Sequence, residues 1–479
     1  MTAAPQAALR WARTRRAGFL RVLRELVEIP TVSADPGHAG DVRRGAEWLA
    51  RHLRRIGLPD VVIVDTAGHP VVRGAWRGAP HRPTLLVYGH YDVQPAGPPD
   101  AWRTPPFAAR RRGDWVVGRG TSDNKGQLLA HLAAIEAYLR TSGALPVNVV
   151  CMLDGEEEIG SPHLPGVLAR ECRADLAVVS DTRMAGRGRP AIVTALRGSV
   201  TAELEVRGPP RALHSGTYGG AVHNPITALC ALIGTLHDTD GAIAIPGFYR
   251  HVRELDPDER AAVAMAGPTD RAVLDRAGVT RGRGERGFTA FERTTVRPAL
   301  DVHGITGGHQ GPGNSSIIPP SATAKLGLRL VPDQRPDEIA AMLRRHVARQ
   351  VPGGIRARLR ITGRTPPVRT DPTHPAVDAA IRACERGYGA TPVLVPSGGT
   401  IPAVGQLATT LGVETVLLGF ALPGDGSHGP NERAHLPTLF RAADTCVWLL
   451  HELAAQDLAT GDWFSASRTP ATIAALELT

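Results

Sequence analysis

Short apolar runs, separated by helical stretches, constrain the fold of this 479-residue chain more than any other feature. The runs lie at 61–64, 85–88, 147–153 and 176–179, and a helical stretch at 127–139 separates the second from the third. Nearly uninterrupted apolar runs are typical of strands buried on both faces, and intervening helices favour parallel pairing. We therefore predict an α/β fold with a mixed, largely parallel sheet flanked by helices.

A different pattern follows in the middle of the chain. Apolar and polar residues alternate there, as expected for antiparallel strands with one exposed face. The alternating segments are 200–206, 324–330 and 355–361, and the helical runs between them are 226–236 and 337–347. This pattern predicts a small α+β, ferredoxin-like domain.

The α/β pattern resumes after this domain, so the domain is predicted to be an insertion. We assign 1–196 and 366–479 to one catalytic domain and 197–365 to an inserted lid and dimerisation domain. Within the insertion, 240–313 is rich in glycine and arginine and gives no interpretable pattern. The tail at 461–479 has no strong periodicity and is expected to be a loosely attached helix or disordered.

The charge distribution argues against a nucleic-acid partner. The formal net charge is +9, but Lys125 and Lys325 are the only lysines, and the arginines are spread along the whole chain among acidic residues. Aromatic residues make up only 4% of the chain and are not interleaved with a basic run. Nucleic-acid grooves combine both features, so we expect no nucleic acid.

The cysteines and the hydropathy suggest the cellular compartment of the protein. The five cysteines are far apart, odd in number and form no CxxC motif, which excludes a disulfide framework and favours the reducing cytoplasm. No apolar stretch is long enough to span a bilayer, so we expect no membrane partner.

Candidate metal ligands occur in five clusters, most of them directly after an apolar run. In chain order these are His90 with Asp92, Asp123, the run Glu156–Glu158, Asp181 and His428. Ligands of parallel sheets bind beyond the carboxyl ends of the strands. A mixed nitrogen and oxygen set suits zinc or another divalent first-row ion, and the excess of carboxylates suggests two ions that share one of them.

Each cluster also has a simpler interpretation. Asp92 lies two residues after His90 and would point the same way on extended backbone, which suits an imidazole support, but it could equally form a turn. Asp123 lies in the glycine-rich loop 118–126 and could bridge two cations or cap a helix. In the run Glu156–Glu158, one carboxylate could bind metal while its neighbour moves a proton, or the run could be a solvated acidic turn.

Together, these motifs resemble the co-catalytic zinc peptidases. That family includes carnosine-type dipeptidases, carboxypeptidase G, aminoacylases and succinyl-diaminopimelate desuccinylases, and the likeness is closest to the cytosolic nonspecific dipeptidases. It extends to about residue 455. The matching segments are Tyr88–Pro95, Gly118–Gly126, Glu157–Ser161 and Leu213–Gly216.

The resemblance implies a site for two divalent ions, taken as zinc with manganese or cobalt as alternatives. Asp123 would bridge the ions, and the peptide bond that follows it would be cis. His90 and Asp181 would complete the ligands of one ion, and Glu158 and His428 those of the other.

The resemblance also implies the catalytic roles. Glu157 would be the general base that takes a proton from a water bridging the ions, and Asp92 would orient the metal-binding imidazole. His214 would stabilise the oxyanion from the partner subunit of a homodimer built through the inserted domain. Without the resemblance, His214 would be interpreted as an exposed loop histidine.

Substrate contacts are implied in the same way. Arg329 would bind the terminal carboxylate of the substrate, although alone it is equally typical of an exposed strand edge. The loop lining the substrate pocket would be formed by Gly398, Gly399 and Thr400.

We therefore predict a metal-dependent hydrolase of peptide or amide bonds. The expected substrates are small peptides with a free carboxylate, which would make the enzyme a dipeptidase or metallo-carboxypeptidase. One alternative is an N-acyl amino acid deacylase of the desuccinylase or deacetylase type. Another is a non-catalytic protein that kept the fold, but the complete set of candidate ligands disfavours it.

Overall fold

The computed structural model describes residues 5–456, which form two compact units. The first unit contains residues 5–194, 370–394 and 401–456. The second unit contains Ala195–Arg369 and Val395–Thr400. The predicted tail at 461–479 lies outside the described residues.

The elements are numbered in chain order. The strands are β1 (Asp60–Val64), β2 (Val71–Trp76), β3 (Thr84–His90), β4 (Arg110–Arg112), β5 (Trp115–Val117), β6 (Asn148–Asp154), β7 (Leu176–Val179), β8 (Ala191–Leu196), β9 (Gly198–Arg207), β10 (Leu213–His214), β11 (Ala299–Gly307), β12 (Ile317–Ile318), β13 (Ser321–Leu330), β14 (Arg356–Thr365), β15 (Val368–Arg369), β16 (Val393–Ser397), β17 (Glu414–Gly419) and β18 (Arg433–His435). The helices are α1 (Pro5–Thr14), α2 (Arg16–Val27), α3 (Ala39–Ile56), α4 (Lys125–Ser142), α5 (Leu164–Glu171), α6 (Ser215–Tyr218), α7 (Pro225–Gly234), α8 (Pro257–Ala266), α9 (Asp270–Ala277), α10 (Ala290–Thr295), α11 (Pro336–Gln350), α12 (Pro375–Ala383), α13 (Pro402–Leu411) and α14 (Leu436–Ala455).

A mixed sheet forms the centre of the first unit. Its strands follow the order β1-β2-β6-β3-β7-β17-β8. The four strands β6, β3, β7 and β17 are mutually parallel, whereas β1, β2 and β8 pair antiparallel at the sides. The predicted α/β sheet is therefore confirmed, although the first apolar run belongs to an antiparallel edge rather than to the parallel centre.

Helix α4 shows why the centre of this unit is buried on both faces. It connects the loop before Lys125 to β6, and most of its side chains are buried rather than a single stripe of them. A helix that is apolar around most of its circumference requires neighbours on several sides. Helices α1, α2, α3 and α14 supply them.

The second unit is built on a four-stranded antiparallel sheet. Along the chain its main elements are β9, α7, β11, β13, α11 and β14, and in space the strands follow the order β11-β13-β9-β14. This is the β-α-β-β-α-β arrangement of ferredoxin-like folds. On β9, alternate residues are buried against the helices, including Val200 and Leu204, which confirms the predicted one-sided burial.

The uninterpreted segment 240–313 contains three short helices and the edge strand β11. Helices α8 and α10 each begin with a capping box, formed around Asp256 and Thr289. Arg297 pairs with Glu285 and stacks 4.2 Å from the ring centroid of Phe288. Ionic and cation–π contacts of this kind leave no apolar periodicity, which explains why sequence patterns did not resolve the segment.

Within residues 5–456, every helix falls short of the length or the apolar character that a bilayer crossing requires.

Candidate active site

The candidate metal ligands lie at the carboxyl edge of the parallel strands. His90 is the last residue of β3, and Glu157 and Glu158 begin a 3₁₀ turn just after β6. Asp181 lies two residues beyond β7, and His428 lies in the loop that follows β17. Since β6, β3, β7 and β17 are neighbours in the sheet, their ends bring these side chains together.

Asp123 lies between the two histidines. One oxygen, Oδ1, is 3.2 Å from Nε2 of His90, and the other, Oδ2, is 3.1 Å from Nε2 of His428. Nε2 of His90 is also 3.7 Å from Oδ1 of Asp181, and Nε2 of His428 is 3.3 Å from Oε2 of Glu158. The two oxygens of one carboxylate therefore face two different histidines.

Two overlapping groups have the spacing of a metal site. His90, Asp123 and Glu158 offer ligand atoms that all lie within 4.8 Å of one another, and so do His90, Glu157 and Asp181. The candidate base and the candidate ligands thus belong to a single cluster, which we call the metal-type cluster: His90, Asp123, Glu157, Glu158, Asp181 and His428.

Asp92 is a buried residue that contacts two parts of the metal-type cluster. Nδ1 of His90 lies 3.1 Å from the backbone carbonyl oxygen of Asp92 and 3.3 Å from its Oδ1, and both side chains are fully buried. The same carboxylate accepts hydrogen bonds from the backbone N–H groups of Glu157 and Glu158, at 3.2 and 3.1 Å, and from Oγ of Ser33 at 2.6 Å. One buried acid therefore orients both the imidazole and the turn that carries the glutamates.

The loop that carries Asp123 is held by a residue to which the sequence patterns assigned no role. Glu432 is fully buried and accepts hydrogen bonds from the backbone N–H groups of Gly120, Ser122 and Asp123, at 2.9 to 3.0 Å. Its Oε2 also accepts a hydrogen bond of 2.8 Å from Nη1 of Arg119. The peptide bond after Asp123 is cis, as the resemblance implied.

Two amide side chains also orient carboxylates of the metal-type cluster and were missed. Asn124 donates through Nδ2 to Oδ1 of Asp181 at 2.9 Å. Gln94 donates through Nε2 to Oε2 of Glu158 at 2.8 Å. Both residues lie inside the family-like segments, but without a structure nothing distinguishes a supporting amide from a surface one.

The cluster concentrates negative charge in a buried place. Burial raises the pKa of Glu157 and of Asp181, and it raises the pKa of Glu158 to about 7, with nearby carboxylates adding to each increase. Burial lowers the pKa of His90, but Asp181 and Asp123 outweigh it, so the pKa is raised overall. Carboxylates crowded in this way are stabilised by cations.

The donor set fits divalent metal ions. Nε2 of His90 is buried and has no hydrogen-bond partner among the described residues, although carboxylate oxygens surround it. Two imidazole nitrogens with several carboxylate oxygens form the mixed set that first-row divalent ions prefer.

The predicted substrate residues lie in the second unit, and several of them meet there. Arg329 on β13 donates from Nη1 to Oγ1 of Thr400 at 2.8 Å, and this hydroxyl donates to the backbone carbonyl of Arg197 at 2.7 Å. Arg197 was not predicted from the sequence. Its guanidinium Nε donates to the carbonyl of Gly398 at 3.1 Å, and its backbone N–H donates to the carbonyl of Gly399 at 3.0 Å.

Gly398 is required by its surroundings. A Cβ atom at this position would lie 2.0 Å from the backbone oxygen of Thr294, which is far inside contact distance. Since backbone cannot move aside cheaply, only glycine fits.

His214 lies elsewhere in the second unit. It is exposed on the short strand β10, which pairs with β12, and its Nδ1 is 3.4 Å from Oγ1 of Thr217. The role implied for it by the resemblance stays a prediction.

Comparisons with known proteins agree with this architecture. The family model for peptidase family M20/M25/M40 matches residues 86–452. The Cys-Gly metallodipeptidase dug1 of Schizosaccharomyces pombe is 30% identical over 456 residues, which cover 91% of this chain and 95% of the relative.

Two solved structures are also similar. The dipeptidase Dug1p of Saccharomyces cerevisiae superposes with a TM-score of 0.83 at 25% identity, covering 95% of this chain and 100% of that one. The M20 family metallo-carboxypeptidase Sso-CP2 of Sulfolobus solfataricus gives 0.81 at 31% identity, covering 91% and 99%. The chain therefore belongs to peptidase family M20/M25/M40 and is a metal-dependent hydrolase of peptide bonds.

Proposed function

We propose that this enzyme is a dipeptidase that cleaves small peptides with a free terminal carboxylate. The observation that carries the proposal is the metal-type cluster, in which each oxygen of Asp123 faces a different histidine and Glu157 lies alongside. The similarity to a Cys-Gly metallodipeptidase along nearly the whole chain supports dipeptides as the substrate class.

The proposed cofactor is a pair of divalent ions, zinc with manganese or cobalt as alternatives. Asp123 would bridge them, with His90 and Asp181 on one side and Glu158 and His428 on the other. When bound, such ions polarise the scissile carbonyl and lower the pKa of water.

Glu157 is the proposed general base. Its carboxylate would take a proton from the attacking water and then deliver it to the nitrogen of the leaving amine. Burial raises its pKa, which makes the carboxylate a better proton acceptor. Asp92 keeps the neighbouring imidazole and the backbone of Glu157 in place.

Arg329 is the proposed partner of the substrate carboxylate. A guanidinium can form two parallel hydrogen bonds to a carboxylate, which gives both strength and orientation. Thr400 fixes the direction of this side chain. His214 is proposed to donate a hydrogen bond to the developing oxyanion.

A homodimer through the second unit is part of this proposal. Strand β11 pairs only with β13 among the described strands, so its other edge has no partner there. Val302 and Ile305 on β11 are 37% and 48% exposed. An unpaired edge with exposed apolar residues is a favourable place for a second chain to add.

A cytoplasmic location is proposed from the cysteines. All five are free, and four of them are buried. Free thiols of this kind are typical of a reducing compartment.

The test is a substrate panel with the metal-loaded enzyme. We expect rapid hydrolysis of unblocked dipeptides, slower hydrolysis of the same dipeptides with an amidated carboxyl end, and little hydrolysis of N-acetyl or N-succinyl amino acids. A chelator should abolish activity, and zinc, manganese or cobalt should restore it. Preference for the N-acyl amino acids would contradict the dipeptidase proposal.

Metal analysis of the same samples tests the cofactor proposal. Active enzyme should contain two divalent ions per chain, and an Asp123→Asn variant should lose both because the bridging carboxylate serves both. Full activity with a single ion would contradict the two-ion site.

A further inference from the structure

A cavity of about 370 Å³ lies among the helices α1, α2, α3, α4 and α14 of the first unit. None of its described lining residues belongs to the metal-type cluster. Its volume falls in the range of small-molecule sites, about 300–1,000 Å³. Trp11, Phe19 and Phe440 form an aromatic part of the wall, where the rings of Phe19 and Phe440 pack edge to face at 5.9 Å.

Cationic side chains dominate the charge of this cavity. The arginines that line it are Arg13, Arg15, Arg16, Arg21, Arg55 and Arg140. Three of them have carboxylate partners: Arg13 is 2.9 Å from Asp444, and Arg21 and Arg140 are each 3.7 Å from a glutamate on their own helix. The other half of these arginines take no part in such pairs.

The other three arginines, Arg15, Arg16 and Arg55, have no carboxylate within 4.0 Å in the described part of the chain. Arg55 instead contacts the buried ring of His52, with 2.6 Å between Nη2 and Nδ1. Burial lowers the pKa of His52 to about 3, so this partner is neutral. Arg15 and Arg16 lie over aromatic rings, 5.4 Å from the centroid of Trp11 and 5.1 Å from that of Phe440.

Arg16 still lies near enough to the carboxylate of Asp444 to favour its charged form. Guanidinium groups that have no carboxylate within 4.0 Å and lie beside an aromatic wall form a specific kind of binding site. Arginine recognises phosphate through paired hydrogen bonds, and its flat face stacks on rings. A ligand that carries both a phosphate and a flat ring would neutralise the cations and cover the aromatic surface at once. An inorganic anion would only neutralise the cations, and a neutral ring would only cover the aromatic surface.

We propose that this cavity binds a phosphate monoester attached to a flat aromatic group, such as a nucleoside monophosphate. Arg16 and Arg55 provide the main contacts to the phosphate, and Trp11 and Phe440 provide the surface for the ring. The site is separate from the hydrolytic centre and does not depend on which peptide the enzyme cleaves.

Isothermal titration calorimetry of the metal-loaded enzyme tests the proposal, with adenosine monophosphate, adenosine and inorganic phosphate as probes. The variant is R16M/R55M, which removes two charges but keeps apolar stems of similar length. Its matched control is R24M/R51M, because Arg24 and Arg51 lie on the same two helices, are exposed and do not line the cavity.

We expect saturable binding of adenosine monophosphate that is tighter than binding of either adenosine or phosphate. The R16M/R55M variant should bind it about ten-fold more weakly or worse, as loss of charged hydrogen bonds implies. The R24M/R51M control should bind like the unaltered enzyme. Absence of saturable binding, or equal weakening in both variants, would overturn the proposal. Equally tight binding of inorganic phosphate would overturn the role of the ring.

Discussion

At the scale of single residues, the chemistry depends on buried charge held in fixed directions. Asp92 is fully buried, yet it accepts hydrogen bonds from the backbone of both glutamates and from Ser33, so its charge is stabilised without a paired arginine. Buried charge is costly unless it is hydrogen-bonded in this way. Replacement of such a residue therefore affects orientation as well as charge.

Glu157→Gln should separate proton transfer from metal binding. The amide keeps the size of the side chain but cannot accept the proton, so kcat should fall by about 10²–10⁴, the usual contribution of a general base. Metal content, measured by mass spectrometry, should be unchanged. The matched control is Glu156→Gln: this neighbour contacts His69 and His163, so it should lower thermal stability while kcat stays within a few-fold. A Glu157→Gln enzyme with full kcat would disprove the assignment of the base.

His52 should contribute to the pH dependence of stability. Burial, with a smaller effect from Arg55, lowers its pKa from 6.5 to about 3 in the folded protein. Between these values the unfolded chain binds a proton that the folded chain does not, so stability falls as pH decreases through the window. One proton corresponds to a slope of about 1.4 kcal/mol per pH unit.

The measurement compares urea unfolding of the unaltered protein and His52→Gln from pH 4 to pH 6.5. The variant should show a shallower loss of stability towards acid, by up to that slope. Parallel curves for the two proteins would show that His52 does not titrate as proposed.

At the scale of elements, the site depends on where the strands end and on where the loops place their residues. The four parallel strands bring His90, Glu157, Asp181 and His428 to one edge, whereas Asp123 arrives on the loop before α4. That loop has little regular structure of its own. Glu432 fixes it by accepting three backbone hydrogen bonds, which replaces the pairing a strand would have provided.

Glu432→Gln should therefore weaken metal binding without changing any of the proposed metal ligands. The amide group would place N–H donors against the backbone N–H groups of the loop, which should shift Asp123. A loss of about 10–100-fold in metal affinity is typical when a supporting residue of this kind is changed. Competition with a fluorescent chelator measures it, and Glu171→Gln, a half-buried acid on α5, serves as the control. Unchanged affinity would show that the loop holds its shape unaided.

Sequence patterns predicted the strands well where apolar residues were either continuous or alternated with polar ones. The runs at 85–88 and 176–179 correspond to β3 and β7, and the alternation at 200–206 corresponds to β9. They failed for β10, β12 and β15, which have only two residues each and carry no periodicity. The supporting residues Glu432 and Arg197 were missed because their partners are distant in sequence; those of Glu432 are 309 to 313 residues away.

At the scale of the whole molecule, the insertion of one domain into another divides the proposed roles. The first unit carries the metal-type cluster, and the second carries His214, Arg329 and the loop that ends at Thr400. In the proposed dimer, each chain would also have access to residues of the other, because the interface is two-fold symmetric.

Mixing two inactive variants tests whether His214 acts across such an interface. His214→Ala and Glu157→Gln should each be nearly inactive alone. After subunit exchange, half of the dimers would be hybrids with one complete site, so activity should recover to about a quarter of the unaltered enzyme. Light scattering would confirm the dimer. Subunit exchange without any recovery would show that His214 acts within its own chain or not at all.

Local patterns were sufficient for the fold class and for the types of side chain in the site. Apolar runs, alternation of apolar and polar residues, and glycine-rich loops each depend on a few neighbouring residues. The same features occur in any chain that forms such a sheet. The convergence of the side chains was decided only in three dimensions: the 3.2 and 3.1 Å contacts of Asp123 join residues 33 and 305 positions away. Such contacts arise because neighbouring parallel strands end at one edge, and strand order is a property of the folded sheet rather than of any local segment.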